Sequence, residues 1–191
     1  MARGRPSKKS HIIDTALTLF SRLGYQGTSI DQVVVAAAVS KPTVYSNFSS
    51  KQILWNQALE RILETANKDL DALDYSQQEP IDQWLSVWQL WLGDKNRLAV
   101  YRIMLGESHK MDSISFEFFE QLQTLLDYAL EQLLEKLKQP LSVTQKFVLK
   151  AASKEALLMP SLYVNQVLDS DKIISLSAEL KALLNSLLSQ D

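Results

Sequence analysis

The stretch that decides the fold runs from Ile12 to Leu54 and reads IIDTALTLFSRLGYQGTSIDQVVVAAAVSKPTVYSNFSSKQIL. Ile12, Ile13, Ala16, Leu17, Phe20 and Leu23 fall on one stripe of a helix over about 8–23, and Gly24 is placed to cap its C-terminus. Thr28 is placed to open a second helix. Its hydroxyl can accept from the unpaired N–H groups of the first turn, with Asp31 as the acidic third position and Ile30, Val33, Val34 and Ala37 facing inward. After Ala38 and Val39, Ser40 is a good N-cap for a third helix. Pro42 lies in its first turn, where a missing N–H matters least, and the helix ends near Phe48. Ser49 with Gln52 forms a further capping box that opens a long helix to about Leu73, with Leu54, Ala58, Ile62, Ala66 and Leu70 on its stripe.

Three short helices joined by tight turns describe a helix-turn-helix unit, whose second helix can enter a major groove. That helix is Lys41 to Phe48, KPTVYSNF. Val44 and Phe48, four residues apart, anchor one face, leaving Lys41, Thr43, Tyr45 and Asn47 for the outer faces. Lysine and threonine reach phosphates or base edges, tyrosine offers a hydroxyl on a stiff ring, and asparagine can bond adenine through two atoms. Thr28 and Ser29 at one helix start, and Ser50 and Lys51 at another, set backbone N–H groups where phosphates bind. Arg3 and Arg5 read as a flexible basic arm.

Charge points the same way. Residues 1–52 hold seven Lys or Arg against Asp14 and Asp31, a net +5, so a chain of net −2 carries −7 on its remaining 139 residues. A small basic unit on an acidic body suggests a polyanion partner for the first unit alone. Yet basic tails are also simply solvated, and three-helix starts occur in proteins without a DNA role. Periodicity and charge leave both readings open.

The 191 residues, 46% hydrophobic and 22% charged, can bury a sizeable core in one or two domains and lie far from disordered composition. Five glycines and five prolines among abundant Leu, Ala, Gln, Lys and Glu predict an all-α fold. No cysteine is present, which removes disulfides, thiolate nucleophiles and cysteine-held metals. The longest apolar run, Val33 to Val39, is far short of the roughly 20 residues of a membrane span. MARGRPSKKS lacks the apolar core of a secretory signal, so a cytoplasmic protein is expected. His11 and His109 are the only histidines, and neither a phosphate loop nor metal-ligand spacing occurs; no enzyme, cofactor or metal site is expected.

Beyond the polar break at 74–80, helices are expected near 81–92, 95–107, 114–138, 142–164 and 172–188, with Pro160 kinking or ending the fourth. The organisation expected is a helix-turn-helix domain at 1–52 and a larger helical bundle at 53–191. Trp84, Trp88 and Trp91 share one helical face; with Tyr101, Met104, Phe116, Phe119, Tyr128, Met159 and Tyr163 they suit either a bundle core or the lining of an apolar cavity. Arg102, Glu107 and His109 read as solvated surface, with the rim of such a cavity as the alternative. Ile173, Leu176, Leu180, Leu183 and Leu187 form a narrow seam, widened by Ile174, Leu184 and Leu188, that wants a helical partner in the same subunit or in a second copy.

Residues 8–56 closely resemble the DNA-binding domain of tetracycline-repressor-like (TetR) regulators. The matching elements are A-x-x-L-F in the first helix, the G-Y-x-x-T-S turn, and A-x-V-S-K-x-T-V-Y-x-x-F-x-S-K with the following leucine. The resemblance covers about a quarter of the chain. It implies a homodimer on a palindromic DNA operator, usually a repressor released by a small ligand, with Thr28, Ser40, Lys41, Thr43, Tyr45 and Lys51 touching DNA. It also implies a cavity for a small apolar or aromatic effector, helices 142–164 and 172–188 pairing with their copies, and the helix after Ser50 as the lever between sites. Pro42 stands where relatives often carry glycine or alanine, and Ser46 and Asn47 replace a frequent bulky or basic pair, so these positions are expected to set the operator. The recognition helix has no arginine, leaving Lys41 as its one candidate guanine reader. An architectural or recombinase-type DNA binder would share the helix-turn-helix without needing a cavity. A helical adaptor for other proteins would need no DNA at all.

Overall fold

The computed structural model describes residues 7–74, 80–137 and 140–163, together with Ala178, Glu179, Ala182, Leu183 and Ser186. Every regular element among them is helical: α1 (Lys8–Gly27), α2 (Ile30–Ala36), α3 (Lys41–Asn47), α4 (Lys51–Asp71), α5 (Pro80–Gly93), α6 (Lys95–Gly106), α7 (Ser113–Leu134), α8 (Val143–Ser153) and α9 (Met159–Tyr163), with a 3-10 turn at Ser108–Lys110 and a π turn at Lys154–Leu158. The all-α expectation is met. The chain divides into two compact units, residues 1–66 with 96–122, and residues 67–95 with 123–191.

The first unit is built on the stripe that the sequence displays. Ile12, Ala16, Phe20, Val33, Val44, Phe48, Leu54, Trp55 and Ala58 are all buried. Phe20, Tyr25 and Trp55 meet as a ring cluster, with the Trp55 ring edge-on to Phe20 at 5.0 Å between centroids and to Tyr25 at 5.9 Å. Ser7 caps α1 by accepting from the Ser10 N–H. Helical geometry breaks at Gly24, whose φ of 74° and ψ of 177° lie in a region open essentially to glycine alone. Leu23, expected on the buried stripe, is 42% exposed because the chain reverses immediately after it.

Two caps lie one residue beyond their expected places. The Thr28 hydroxyl donates to the Gly24 carbonyl at 2.8 Å, closing the turn, and Ser29 takes the cap of α2 in a reciprocal box with Gln32. Ser50 rather than Ser49 caps α4, accepting from the Ile53 N–H at 3.1 Å. In each pair both residues have the chemistry of a cap, and the preceding turn decides which one is extended toward the helix.

In the second unit α5 buries Trp84, Leu85, Val87, Trp88, Trp91 and Leu92. The Trp84 indole N–H donates to the Ser153 hydroxyl at 2.9 Å, and that hydroxyl donates to the Leu149 carbonyl at 2.8 Å, so the ring's polar edge is satisfied inside the core. Glu131 pairs with Lys146 and Lys150, and Asp127 with Lys154, lacing α7 to α8 and its continuation. Their hydrogen bonds and charges hold the Glu131 carboxyl below its ordinary pKa despite some burial. The expected break at Pro160 takes a specific form. The helix widens into the π turn before the proline, the Met159 N–H reaching back to Lys154, and Pro160 then stands second in α9, where it needs no N–H partner. Of the expected helix at 172–188, Ile173, Leu176, Leu180 and Leu187 lie outside the described residues; Leu183 is helical and half-buried.

Candidate nucleic-acid interface

The turn from α2 to α3 is a Schellman motif. The Val39 N–H donates to the Val34 carbonyl and the Ala38 N–H to that of Val35, each at 3.2 Å, with Ala38 at φ 50° in the left-handed position that glycine usually occupies. The His11 ring nitrogen lies 3.1 Å from the Ala37 carbonyl, tying α1 to the end of α2. Ser40 then caps α3, accepting from the Thr43 N–H at 3.3 Å and bonding the Thr43 hydroxyl at 2.7 Å.

Val44 and Phe48 are fully buried, so the expected anchor of α3 is in place. The opposite side presents Lys41, Pro42, Tyr45 and Asn47 to solvent, with Ser40 and Ser29 exposed at the two helix starts and Thr43 half-buried. Tyr45 is 45% exposed, its ring turned away from the anchor pair. Lys41 pairs with Asp31 of α2 at 2.8 Å, and this hydrogen bond and charge raise the pKa of the amine. Asn47 turns its amide N–H back onto the Thr43 carbonyl at 2.8 Å. Arg3 and Arg5 lie outside the described residues.

Two expected contacts sit differently. Thr28 is 1% exposed, with its hydroxyl bonded to Gly24. Lys51 stands over the Tyr25 ring at 4.3 Å and donates to the Tyr25 and Thr28 carbonyls, each at 3.0 Å. Desolvation lowers its pKa, opposed by the Glu107 charge and reinforced by Lys110. An ammonium has three protons, so two close the 25–28 turn and one remains beyond these bonds.

Sequence reasoning missed the polar groups that brace this unit. Glu107, read there as surface or cavity rim, accepts from the Tyr25 and Gln26 N–H groups at 3.0 and 2.7 Å. The Tyr25 hydroxyl donates to Gln52, whose amide donates to Asn56 and Ser115. The Asp112 carboxylate accepts from the Asn56 amide and from both the N–H and hydroxyl of Ser115. Burial opposes ionisation of Asp112, but these hydrogen bonds outweigh it and hold the carboxyl below its ordinary pKa. Burial, then the charges of Asp112 and Glu107, push the Tyr25 hydroxyl above its ordinary pKa. Partners some 60 to 80 residues apart leave no local spacing to read.

The residues expected around an effector fall into both units. Tyr101 and Met104 are buried and Phe119 half-buried in the first, where the Tyr101 and Phe119 rings meet edge-on at 5.2 Å. In the second, Trp84, Trp88 and Trp91 are core, Met159 is half-buried and Tyr128 is exposed. A hollow of about 10 Å³ lies beside Leu85, Trp88, Gln89, Leu92 and Leu157, room for one water at most.

Residues 12–58 match the family model for bacterial regulatory proteins of the tetR family. Over these residues the chain is similar to the helix-turn-helix unit of the TetR family. In sequence it is similar to the biofilm operon icaADBC HTH-type negative transcriptional regulator IcaR of Staphylococcus aureus, with 36% identity over 59 residues, 31% of this chain and 32% of that protein. It is also similar to the HTH-type transcriptional repressor ComR of Escherichia coli, with 28% identity over 87 residues, 44% of this chain and 41% of that one. The chain therefore spans between a third and two fifths of the curated relatives it matches. In fold it is similar to a tetR-family transcriptional regulator of Streptomyces coelicolor, at TM-score 0.75 and 20% identity over 99% of this chain and 85% of that one. A Saccharomonospora viridis protein solved in complex with choline gives TM-score 0.74 and 15% identity over 93% and 95% of the two chains. The TetR fold thus extends beyond the matched sequence to the helices after α4.

Proposed function

We propose that the chain is a sequence-specific DNA-binding transcriptional regulator of the TetR type, acting in the cytoplasm as a homodimeric repressor that a small apolar or aromatic ligand releases from a palindromic operator. The observation that carries this reading is α3 itself. A TetR-type helix is anchored by Val44 and Phe48 and turns Lys41, Pro42, Tyr45 and Asn47 outward in the segment of the chain that is net positive. Residues 1–52 would read the DNA, with Arg3 and Arg5 as the arm, Ser29, Ser40, Thr43 and the remaining Lys51 proton on phosphates, and the outward face of α3 on base edges. The buried Thr28, with its hydroxyl, N–H and carbonyl all bonded within the turn, would shape the interface rather than touch DNA.

Residues 53–191 would dimerise and take the ligand. Val143, Phe147, Val148 and Tyr163 point their apolar side chains outward on α8 and α9, which supports pairing of these helices with their copies, joined by the seam at Ile173, Leu176, Leu180, Leu183 and Leu187. A ligand of choline's size would need more room than the 10 Å³ hollow beside Trp88 offers. An architectural binder without effector control is the less favoured reading.

The deciding experiment is selection of DNA from a random pool, followed by salt titration of the winner. A palindrome with half-sites about 34–36 Å apart and steep salt dependence is expected. No enriched sequence from a folded protein would overturn the reading.

A further inference from the structure

We propose that Glu107 is a positioning residue for DNA recognition, fixing the pose of α2 and α3 through the turn that precedes them. This rests on the DNA-binding reading above and names the device that holds that site in shape. The reversal at Gly24 takes the chain out of the α-helical bonding pattern, and the two N–H groups that follow, of Tyr25 and Gln26, need acceptors. Glu107, just past the end of α6, supplies both from one carboxylate, Oε1 to Tyr25 and Oε2 to Gln26. Two charge-assisted bonds from one rigid group fix direction as well as distance.

The contact is close on every side. A Cβ at position 24 would lie 2.7 Å from Glu107 Oε1, so the carboxylate occupies the space that only glycine leaves open. Lys110 reaches the Gln26 side chain from the same corner. On the other side of the turn Lys51 takes the Tyr25 and Thr28 carbonyls, and Thr28 closes back on Gly24. The next residue, Ser29, is the cap of α2, and α2 passes directly through its Schellman turn into α3. The corner bearing Glu107 is itself pinned to α4 by Asp112 and Ser115 through Asn56 and Gln52. Within their own lengths α2 and α3 each bury one side chain, so the bracing of this turn adds to the caps and the Schellman turn that hold them.

The test uses the full-length protein, Glu107→Gln and Glu107→Ala, with three readouts: amide hydrogen exchange, thermal melting, and affinity for the selected operator. A glutamine offers one acceptor oxygen and sets an NH2 against the second N–H, so it is nearly isosteric but cannot make both bonds. In wild type the Tyr25 and Gln26 amides are expected to exchange slowly. In Glu107→Gln exchange at 25 and 26 and through α2 and α3 rises at least about tenfold, and operator affinity falls about tenfold, while the melting temperature holds within a few degrees. Fast exchange at 25 and 26 in wild type overturns the proposal without any variant. So does a Glu107→Gln protein whose α2 and α3 exchange is unchanged, or one that binds the operator as tightly as wild type. An affinity loss in Glu107→Ala that tracks global unfolding alone, with Glu107→Gln normal, also overturns it. If wild type selects no DNA, the DNA-binding reading falls, and the exchange data alone then decide whether Glu107 sets α2 and α3.

Discussion

Helix α3 buries Val44 along its seven residues and Phe48 at its C-cap, whereas α5 buries six side chains along fourteen, three of them tryptophan. At roughly 1.5–3 kcal/mol per large buried side chain, burial contributes several times more to α5 than to α3. The difference explains how each is built. A helix that must show one face to a partner has little apolar surface left for its own protein, so caps, a Schellman turn and distant polar groups hold it instead. A helix with no such duty is held by bulk.

If that contrast is right, the largest effect of any single change lies in α5. Trp91→Ala, at a fully buried ring, is expected to destabilise the protein by about 3–5 kcal/mol, read by chemical denaturation. A loss below 1 kcal/mol would show that the ring is dispensable there and break the contrast. Around α3 the steps are smaller and run through the backbone. Ser40→Ala removes the cap and should cost about 1 kcal/mol. Ala38→Gly should stabilise by about 1 kcal/mol, because glycine takes the left-handed conformation without the strain alanine carries. Destabilisation by Ala38→Gly would mean that its methyl group matters more than its torsion.

Tyr45→Ala sharpens the contrast further, since it is expected to change stability by less than about 0.5 kcal/mol while weakening the operator complex. Unchanged affinity would remove Tyr45 from the interface. The pH response separates the regions least. Asp112 in the first unit and Glu131 in the second both have folded pKa values below their ordinary ones. The stability each confers is full above its unfolded pKa and is lost as pH falls through its folded one. Acid titration should therefore weaken both units below the ordinary carboxylate range, and Asp112→Asn should flatten that response for the first unit alone.

How much of this could be read in the sequence follows from range. The stripe of α1 up to Phe20, the anchor pair Val44 and Phe48, the Ser40 cap and the stripe of α4 each lie within a few residues of one another and are where periodicity puts them, whereas Leu23 is exposed beside the Gly24 kink. The cap of α2 slipped from Thr28 to Ser29 because two adjacent hydroxyls satisfy the same rule and only the Gly24 turn separates them. Ala38 in a glycine conformation carries no compositional mark. Glu107 and Asp112 were out of reach altogether, because a carboxylate in a chain with 22 acidic residues looks the same whether it faces water or a turn 82 residues earlier.

The contact between Gly24 and Glu107 also bears on how this sequence can change. Any side chain at position 24 must first displace a carboxylate that already holds two N–H groups, and must then adopt a torsion that L-residues avoid. Position 107 can mutate in one step, losing two hydrogen bonds. A change at position 24 loses the fit to the carboxylate and adds torsional strain of about 1–3 kcal/mol as well, so the glycine end of the pair is the costlier one to alter.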